Sequence, residues 1–483
     1  MAGTSATRAP GTRSASWWPL LAVCVGYFMV ILDATAVNVA LPSLGRDLGT
    51  GITGLQWVVD GYTLVFAGLL LSTGAIGDRR GPNRVYQAGL LVFTAASVGC
   101  GLAPGTGWLV AARLAQGLGA ALLVPASLAL LQVAYSEPTV RARAFGIWGG
   151  VGGVGAAAGP LIGGALIGAF GWRSVFFVNL PVGLAGVALA ARHVPAPAGR
   201  PRRLDPAAQA LGILALAALT GALIEAGSVG WSAPLVLVGF GTAVAAAIAF
   251  VAVEHRAEQP MLPPALFRSP TFSGANLVGV LINLGFYGQL FVASIYFQRV
   301  RGDSALTTGL LLLPELAMAV VASTASGWVM ARTGPRRPML TGLALGGAGL
   351  LGWLVAGPHT PYPALIVPLV ATGFGMAFTM PAATAAVMGA AAAEFAGTVS
   401  GVINAARQVG GVIGVALLGT LIADQATFVA GMHAGLIVAS LAFFVGCAVT
   451  YRMVVSGAPA RTAAPASPPP VTDGTCRETA QEQ

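Results

Sequence analysis

Apolar stretches long enough to cross a bilayer, about 18–27 residues each, follow one another along almost the whole chain. They lie near 17–41, 54–74, 83–103, 108–131, 144–170, 174–191, 207–226, 234–253, 271–298, 306–330, 338–356, 363–389, 398–424 and 428–452, which predicts 14 transmembrane helices. Short breaks holding Gly, Pro and Arg separate them. The pattern is that of an all-α polytopic membrane protein without a soluble domain. The first stretch follows Arg8 and Arg13 but runs on through Asp33 and Asn38. It is too long for a signal-peptide core and is read as a retained span.

Charge orients these spans. The chain has 25 basic residues, all of them arginine, and a net charge of +9. With the N-terminus inside, 19 arginines fall on the inner side: Arg8, Arg13, Arg79, Arg80, Arg84, Arg141, Arg143, Arg192, Arg200, Arg202, Arg203, Arg256, Arg268, Arg332, Arg336, Arg337, Arg452, Arg461 and Arg477. Only Arg46, Arg173, Arg299 and Arg301 fall outside. The positive-inside rule therefore puts both termini in the cytoplasm of a cell-membrane protein. The basic excess sets topology and predicts no nucleic-acid partner. Without lysine the chain supplies neither a Walker-type ATP site nor a Schiff base. Gly153 to Ala158 mimics a dinucleotide fingerprint, but it lies in an apolar span and lacks the preceding strand. The four cysteines and four histidines are scattered, so no metal, cofactor or catalytic triad is expected.

An internal repeat divides the chain. In the segment after the second span, Gly74, Arg79, Gly81, Pro82 and Arg84 match Gly327, Arg332, Gly334, Pro335 and Arg337 after the tenth, at constant displacement. The expected organisation is a cytoplasmic N-terminus (1–16), a six-helix bundle (17–191), a basic, proline-rich linker (192–206) and two inserted helices (207–253). A cytoplasmic loop (254–270), a second six-helix bundle (271–452) and a disordered cytoplasmic tail (453–483) complete it. Two duplicated bundles are an architecture of alternating-access transporters.

The fifth span carries a glycine run from Gly149 to Gly164. Gly155, Gly159 and Gly163 recur every four residues on one face, followed by Gly164, and Pro160 predicts a kink. In a membrane such small residues let a neighbouring helix approach closely.

Ionisable residues inside spans are costly and are functional candidates by default. Asp33, in the first span, is a candidate for carrying a proton or contacting substrate, because loss of water favours a carboxylate's neutral form. A structural hydrogen bond to a neighbouring helix is the alternative. Arg113 and Gln116 share one face of the fourth span with small residues beside them. Arginine keeps its proton, so Arg113 is read as biasing a neighbouring carboxylate such as Asp33, or as purely structural. Asn404, Arg407, Gln408 and Gly411 repeat that spacing in span 13. They suggest an interhelical polar cluster or a substrate contact. Glu315, next to Pro314, is a second proton site, a cavity carboxylate or a residue at the outer surface of the bundle. Asp60, Glu225 and Asp424 lie near span ends, where an acid is solvated cheaply.

Four segments in this order resemble the major facilitator superfamily, in its 14-helix drug:proton antiporter branch, over almost the whole chain. Leu32 to Pro42, which contains Asp33 and Asn38, is similar to the first-helix motif. Gly74 to Arg84 is similar to the loop motif after helix 2, and Arg113 to Ala121 to the helix-4 motif. The run containing Gly155, Gly159, Pro160, Gly163 and Gly164 is similar to the helix-5 antiporter motif. The overall pattern looks most like antibiotic exporters of the methylenomycin-resistance type.

The resemblance implies a major facilitator fold of two six-helix bundles plus two inserted helices. It implies proton-coupled efflux of antibiotics or other amphipathic drugs, driven by the proton gradient. Asp33 and Arg113 then serve proton transfer, while Asn38 and Gln116 are counted with Asn404, Arg407 and Gln408 in a polar seam. Gly74, Asp78, Arg79, Gly81 and Arg84 form a cytoplasmic gate. The second copy has Ala331 in place of Asp78, so the gate is asymmetric. Glu315 has no counterpart in the family pattern. Expected partners are a small amphipathic substrate, protons and the lipid bilayer, with each chain working as a monomer. Proton-coupled uptake of a small nutrient is the alternative; a membrane-embedded enzyme lacks a nucleophile constellation.

Overall fold

The computed structural model describes residues 17–135, 137–194, 205–257, 260, 262–391, 396–424 and 426–455, with only the backbone at 71, 75, 78, 138, 142, 319, 396 and 397. The expected N-terminal segment 1–16, most of the linker and nearly all of the tail lie outside these residues. The described chain is helical from end to end. Its first bundle contains α1 (Trp18–Asp47), α2 (Ile52–Arg80), α3 (Pro82–Gly101), α4 (Thr106–Ala134) and α5 (Pro138–Phe170). The sixth predicted span is split into α6 (Ser174–Phe177) and α7 (Asn179–His193). Then come α8 (Pro206–Val229) and α9 (Pro234–Arg256). The remaining helices are α10 (Pro270–Ile295), α11 (Ala305–Thr333), α12 (Arg336–Gly352), α13 (Pro363–Gly389), α14 (Ala396–Leu421) and α15 (Phe428–Met453).

Among the described residues, twelve helices are long and apolar enough to cross a membrane, against the 14 predicted. The second and third predicted spans are helices too, α2 of 29 residues and α3 of 20. They carry Gln56, Asp60, Asn83, Arg84 and Gln87 among their apolar residues. Helix α5 starts at Pro138, ahead of the predicted 144, because a helix continues through the polar turn that leads into the apolar run.

The local signals explain the ends. Proline opens α3, α5, α8, α9, α10 and α13, where its missing N–H costs nothing. The Asp205, Ser269 and Ser304 side chains cap α8, α10 and α11. Gly81 and Gly334 take φ +89° and +75° at the α2–α3 and α11–α12 turns, a region that L side chains rarely adopt. They are the repeat's matched glycines. The displacement from Gly74 to Gly327 carries Ile52–Arg80 onto Ala305–Thr333, end for end.

In the first half, α1 packs on α5 and α7, and α4 on α2 and α3. In the second, α10 packs on α13, α14 and α15, and α12 on α13 and α15. The halves meet along α2–α14 and α5–α11, with a shorter α1–α10 contact. The inserted α8 lies across the α2–α14 seam, with α9 behind it. At the end bearing the α1–α2 turn the halves are closed. Ser294 Oγ donates to the Asn38 carbonyl at 2.6 Å and Gln298 Nε2 to the Val39 carbonyl at 2.9 Å. Gln56 Nε2 donates to the Ala416 carbonyl at 2.7 Å. Toward the other end the halves part: at Gly153 a side chain would sit 3.9 Å from Val320 of α11, and around Gly149 and Gly150 there is open space.

Candidate functional site

Five polar side chains converge inside the first half. Arg113 Nη1 lies 2.6 Å from Asp33 Oδ2. Asp33 Oδ1 accepts from Gln116 Nε2 at 2.9 Å and from Asn179 Nδ2 at 2.8 Å. Arg113 also donates from Nη1 to Gln116 Oε1 at 2.7 Å and from Nε to the Val58 carbonyl at 3.0 Å. Ser97 Oγ accepts from Gln116 at 2.8 Å and itself donates to the Phe93 carbonyl. Asp33, Arg113, Gln116, Asn179 and Ser97 are each at most 1 % exposed. The cluster thus ties α1, α2, α3, α4 and α7 together through one buried charge pair. Such a pair is tolerated because both Asp33 oxygens accept hydrogen bonds, although Asn179 Oδ1 has no hydrogen-bond partner among the described residues.

A cavity between the halves borders this cluster. Its lining includes Val30, Ala34, Asn38, Tyr62, Phe66 and Arg113 from the first half, and Tyr287, Gln408, Gly411 and Val415 from the second. The Arg113 guanidinium lies 4.2 Å from the centre of the Tyr62 ring. Arg113 therefore reaches both the enclosed Asp33 and the cavity wall, whereas Asp33 does not line the cavity.

Small residues make these approaches possible. Gly155, Gly159 and Gly163 face α1: a Cβ at Gly159 would overlap the Thr35 hydroxyl, and one at Gly163 would lie 3.0 Å from Ala36. Gly164 faces α11 of the other half, where a Cβ would sit 2.7 Å from Leu306. The Pro160 carbonyl presses on Gly309 of α11. The run thus serves two contacts, one within its own half and one across the seam.

The other predicted residues are dispersed. Asn38 is buried at the closed end and donates to the Ala34 carbonyl at 2.9 Å. Glu315 is 1 % exposed, which excludes the outer-surface reading; Gln289 Nε2 is 3.3 Å from its Oε2. Asn404, Arg407 and Gln408 share α14, but Asn404 bonds to its own helix at Ser400. Arg407 packs its stem beside Gly279 of α10 and is not among the residues that line the cavity. Gly74 has open space, and Arg79 and Arg84 are exposed. The gate role of Asp78 rests on a side chain outside the described residues. Asp424 is exposed and caps a turn at Ala426, as a helix-end acid should. Glu225 accepts from Trp57 Nε1 of α2 at 3.3 Å.

Two residues carry no signal in the sequence, and a third sits elsewhere than expected. Asn179 and Ser97 are ordinary polar residues in apolar helices, and only the fold aims them at Asp33. Asp60 was read as a solvated helix end, yet it is wholly buried and neither of its carboxylate oxygens has a hydrogen-bond partner among the described residues. Gln56, one turn before it, bonds to α14, and Leu64, one turn after, packs with Leu216 and Val412. The same face of α2 places Asp60 against the seam of α8 and α14.

The family model for the Major Facilitator Superfamily matches residues 23–415. The chain belongs to the Major Facilitator Superfamily. Within this superfamily it is 38 % identical to the "Methylenomycin A resistance protein" of Streptomyces coelicolor, over 90 % of this chain and 92 % of that one. It is 38 % identical to the "Tetracenomycin C resistance and export protein" of Streptomyces glaucescens, over 88 % of this chain and 79 % of that one. Among solved structures, a peptide transporter crystallised with sulfate superposes with a TM-score of 0.69 over 92 % of this chain and 96 % of that one, at 15 % identity. That likeness shows the superfamily fold. The fold is duplicated but the buried charge is not. The repeat displacement carries Asp33, Arg113, Gln116 and Asn179 to Phe286, Ile366, Leu369 and Met432, and it carries Tyr62 to Glu315.

Proposed function

We propose that this protein exports an antibiotic or similar amphipathic compound across the cell membrane in exchange for protons, by alternating access. The observation that carries the reading is the sealed Asp33–Arg113 pair bordering a cavity between two halves that are closed at one end and parted at the other. The names of the relatives from Streptomyces, one of them an export protein, support the outward direction. The arginine distribution makes the parted end cytoplasmic, so the conformation is inward-facing. α2 and α3 join the twelve apolar helices as spans, which gives 14, with α8 and α9 as the insertion. Each chain holds a complete cavity and works as a monomer.

Asp33 is the proton carrier. Its protonation removes the ionic bond to Arg113 and loosens the tie between α1 and α4, which shifts the balance between inward- and outward-facing states. Glu315 is a second candidate in the other half. Gly74, Asp78, Arg79, Gly81 and Arg84 form the cytoplasmic gate, and the Gly155–Gly164 run lets α5 slide against α1 and α11.

The test is expression in an efflux-deficient bacterium challenged with a panel of antibiotics, with and without a protonophore. The reading requires raised resistance to at least one compound, abolished by the protonophore. Unchanged sensitivity together with accumulation of a nutrient would replace it with uptake.

A further inference from the structure

The cavity has a charge preference. At membrane depth, every described carboxylate in the two bundles is withdrawn from it: Asp33 is bonded to Arg113, and Asp60 and Glu315 are buried elsewhere. The unmatched charge beside the lining residues of α14 is positive. Arg407 is part-exposed, and among the described residues it has neither a hydrogen-bond acceptor nor an acidic partner. Its stem passes Gly279 of α10, and it lies next to Gln408 and one helical turn before Gly411, both of which line the cavity. Arginine stays protonated at any physiological pH, so this charge persists through the transport cycle.

A second observation points to the same ligand. Tyr62 lines the cavity at 3 % exposure, and its hydroxyl has no hydrogen-bond partner among the described residues. Arg113 occupies the ring face, which fixes the ring and leaves the hydroxyl unmatched. A buried donor without an acceptor is costly unless a ligand supplies one. Tyr287 and Gln408 add polar groups to the opposite wall, and Phe66 adds apolar surface.

Building on the export reading above, we propose that the preferred substrates are amphipathic compounds bearing a single negative charge, such as a carboxylate, held by Arg407 and by the Tyr62 hydroxyl, with their apolar body against the aromatic wall. A guanidinium pairs with a carboxylate through short, charge-assisted hydrogen bonds. A cationic drug would meet Arg407 with no accessible carboxylate to offset it.

The test is equilibrium binding to the full-length protein in nanodiscs of zwitterionic lipid, which needs no gradient. The probes are 4-biphenylcarboxylate and 4-biphenyl-trimethylammonium, similar in shape and opposite in charge, at fixed ionic strength. The wild type should bind the carboxylate roughly tenfold or more tightly than the cation. Arg407→Gln should lose that margin without weakening the cation, and Arg407→Lys should keep most of it. Tyr62→Phe should weaken the carboxylate a few-fold and leave the melting temperature of the unliganded protein intact. If Arg407→Gln does not fold, Arg407→Lys and Tyr62→Phe carry the comparison. No carboxylate binding at millimolar concentration, equal or tighter cation binding, or full carboxylate affinity in Arg407→Gln would overturn the proposal. A chain that exports cationic drugs yet fails these tests keeps the export reading and loses this one. A chain that binds the carboxylate through Arg407 but moves nothing in exchange for protons does the reverse.

Discussion

Arg113 and Asp33, 80 residues apart in sequence, meet at 2.6 Å with both side chains sealed from solvent. Removing one partner of such a pair leaves an uncompensated buried charge. Asp33→Asn should therefore cost about 3–5 kcal/mol of stability, seen as a lower melting temperature in detergent. The double variant Asp33→Asn/Arg113→Gln should recover part of that loss while remaining uncoupled from the proton gradient. Recovery of coupling by the double variant would show that the pair has only a structural role.

Asp60 is the contrasting case. Its carboxylate is buried with no hydrogen-bond partner among the described residues, so neutralising it relieves a cost and breaks no hydrogen bond among them. Asp60→Asn should leave the melting temperature unchanged or raise it, opposite in sign to Asp33→Asn under the same conditions. A fall of similar size would mean that Asp60 has a partner in the folded protein.

The glycine run can be probed face by face. Gly159→Ala should destabilise by about 1–3 kcal/mol, because the new methyl group meets Thr35 and the α1 backbone. Gly164→Ala should act mainly on the seam with α11 and open the outer end, raising the labelling of a cysteine placed at Ser294. Gly168 has nothing within 4 Å, so Gly168→Ala should be neutral on both measures. Equal effects at all three positions would show that the run is not divided between two contacts.

Glu315 stands in the second half where the repeat places Tyr62 in the first, and it is packed beside Gln289. If it is a second proton site, Glu315→Gln should lower the number of protons exchanged per substrate and still fold, because the amide fills the same space. An unchanged proton count in reconstituted vesicles would assign Glu315 a packing role.

How much of this was legible in the sequence follows from what each signal measures. Hydrophobic length located the helices, and the Gly81 and Gly334 turns exposed the duplication, because both are local properties of the chain. The i, i+3 spacing of Arg113 and Gln116 gave a shared helix face. It did not say which helix that face meets, so Asn179 and Ser97 went unnoticed. Asp60 failed for a related reason. Its distance from a span end suggested solvent, but α8 and α14 cover that face of α2. Arg407 was visible as a charge in a span. That it has no acidic partner emerges only when the neighbouring helices are in place.

Proton–substrate exchange is the central claim, and reconstituted vesicles test it most directly. A compound to which the protein confers resistance is loaded into proteoliposomes, and an inwardly or outwardly directed pH gradient is imposed without a membrane potential. The account predicts that the wild type moves the compound against the proton flow in both directions, and that Asp33→Asn still equilibrates it but no longer responds to the gradient. Movement of compound and protons in the same direction, or a full gradient response in Asp33→Asn, would contradict it.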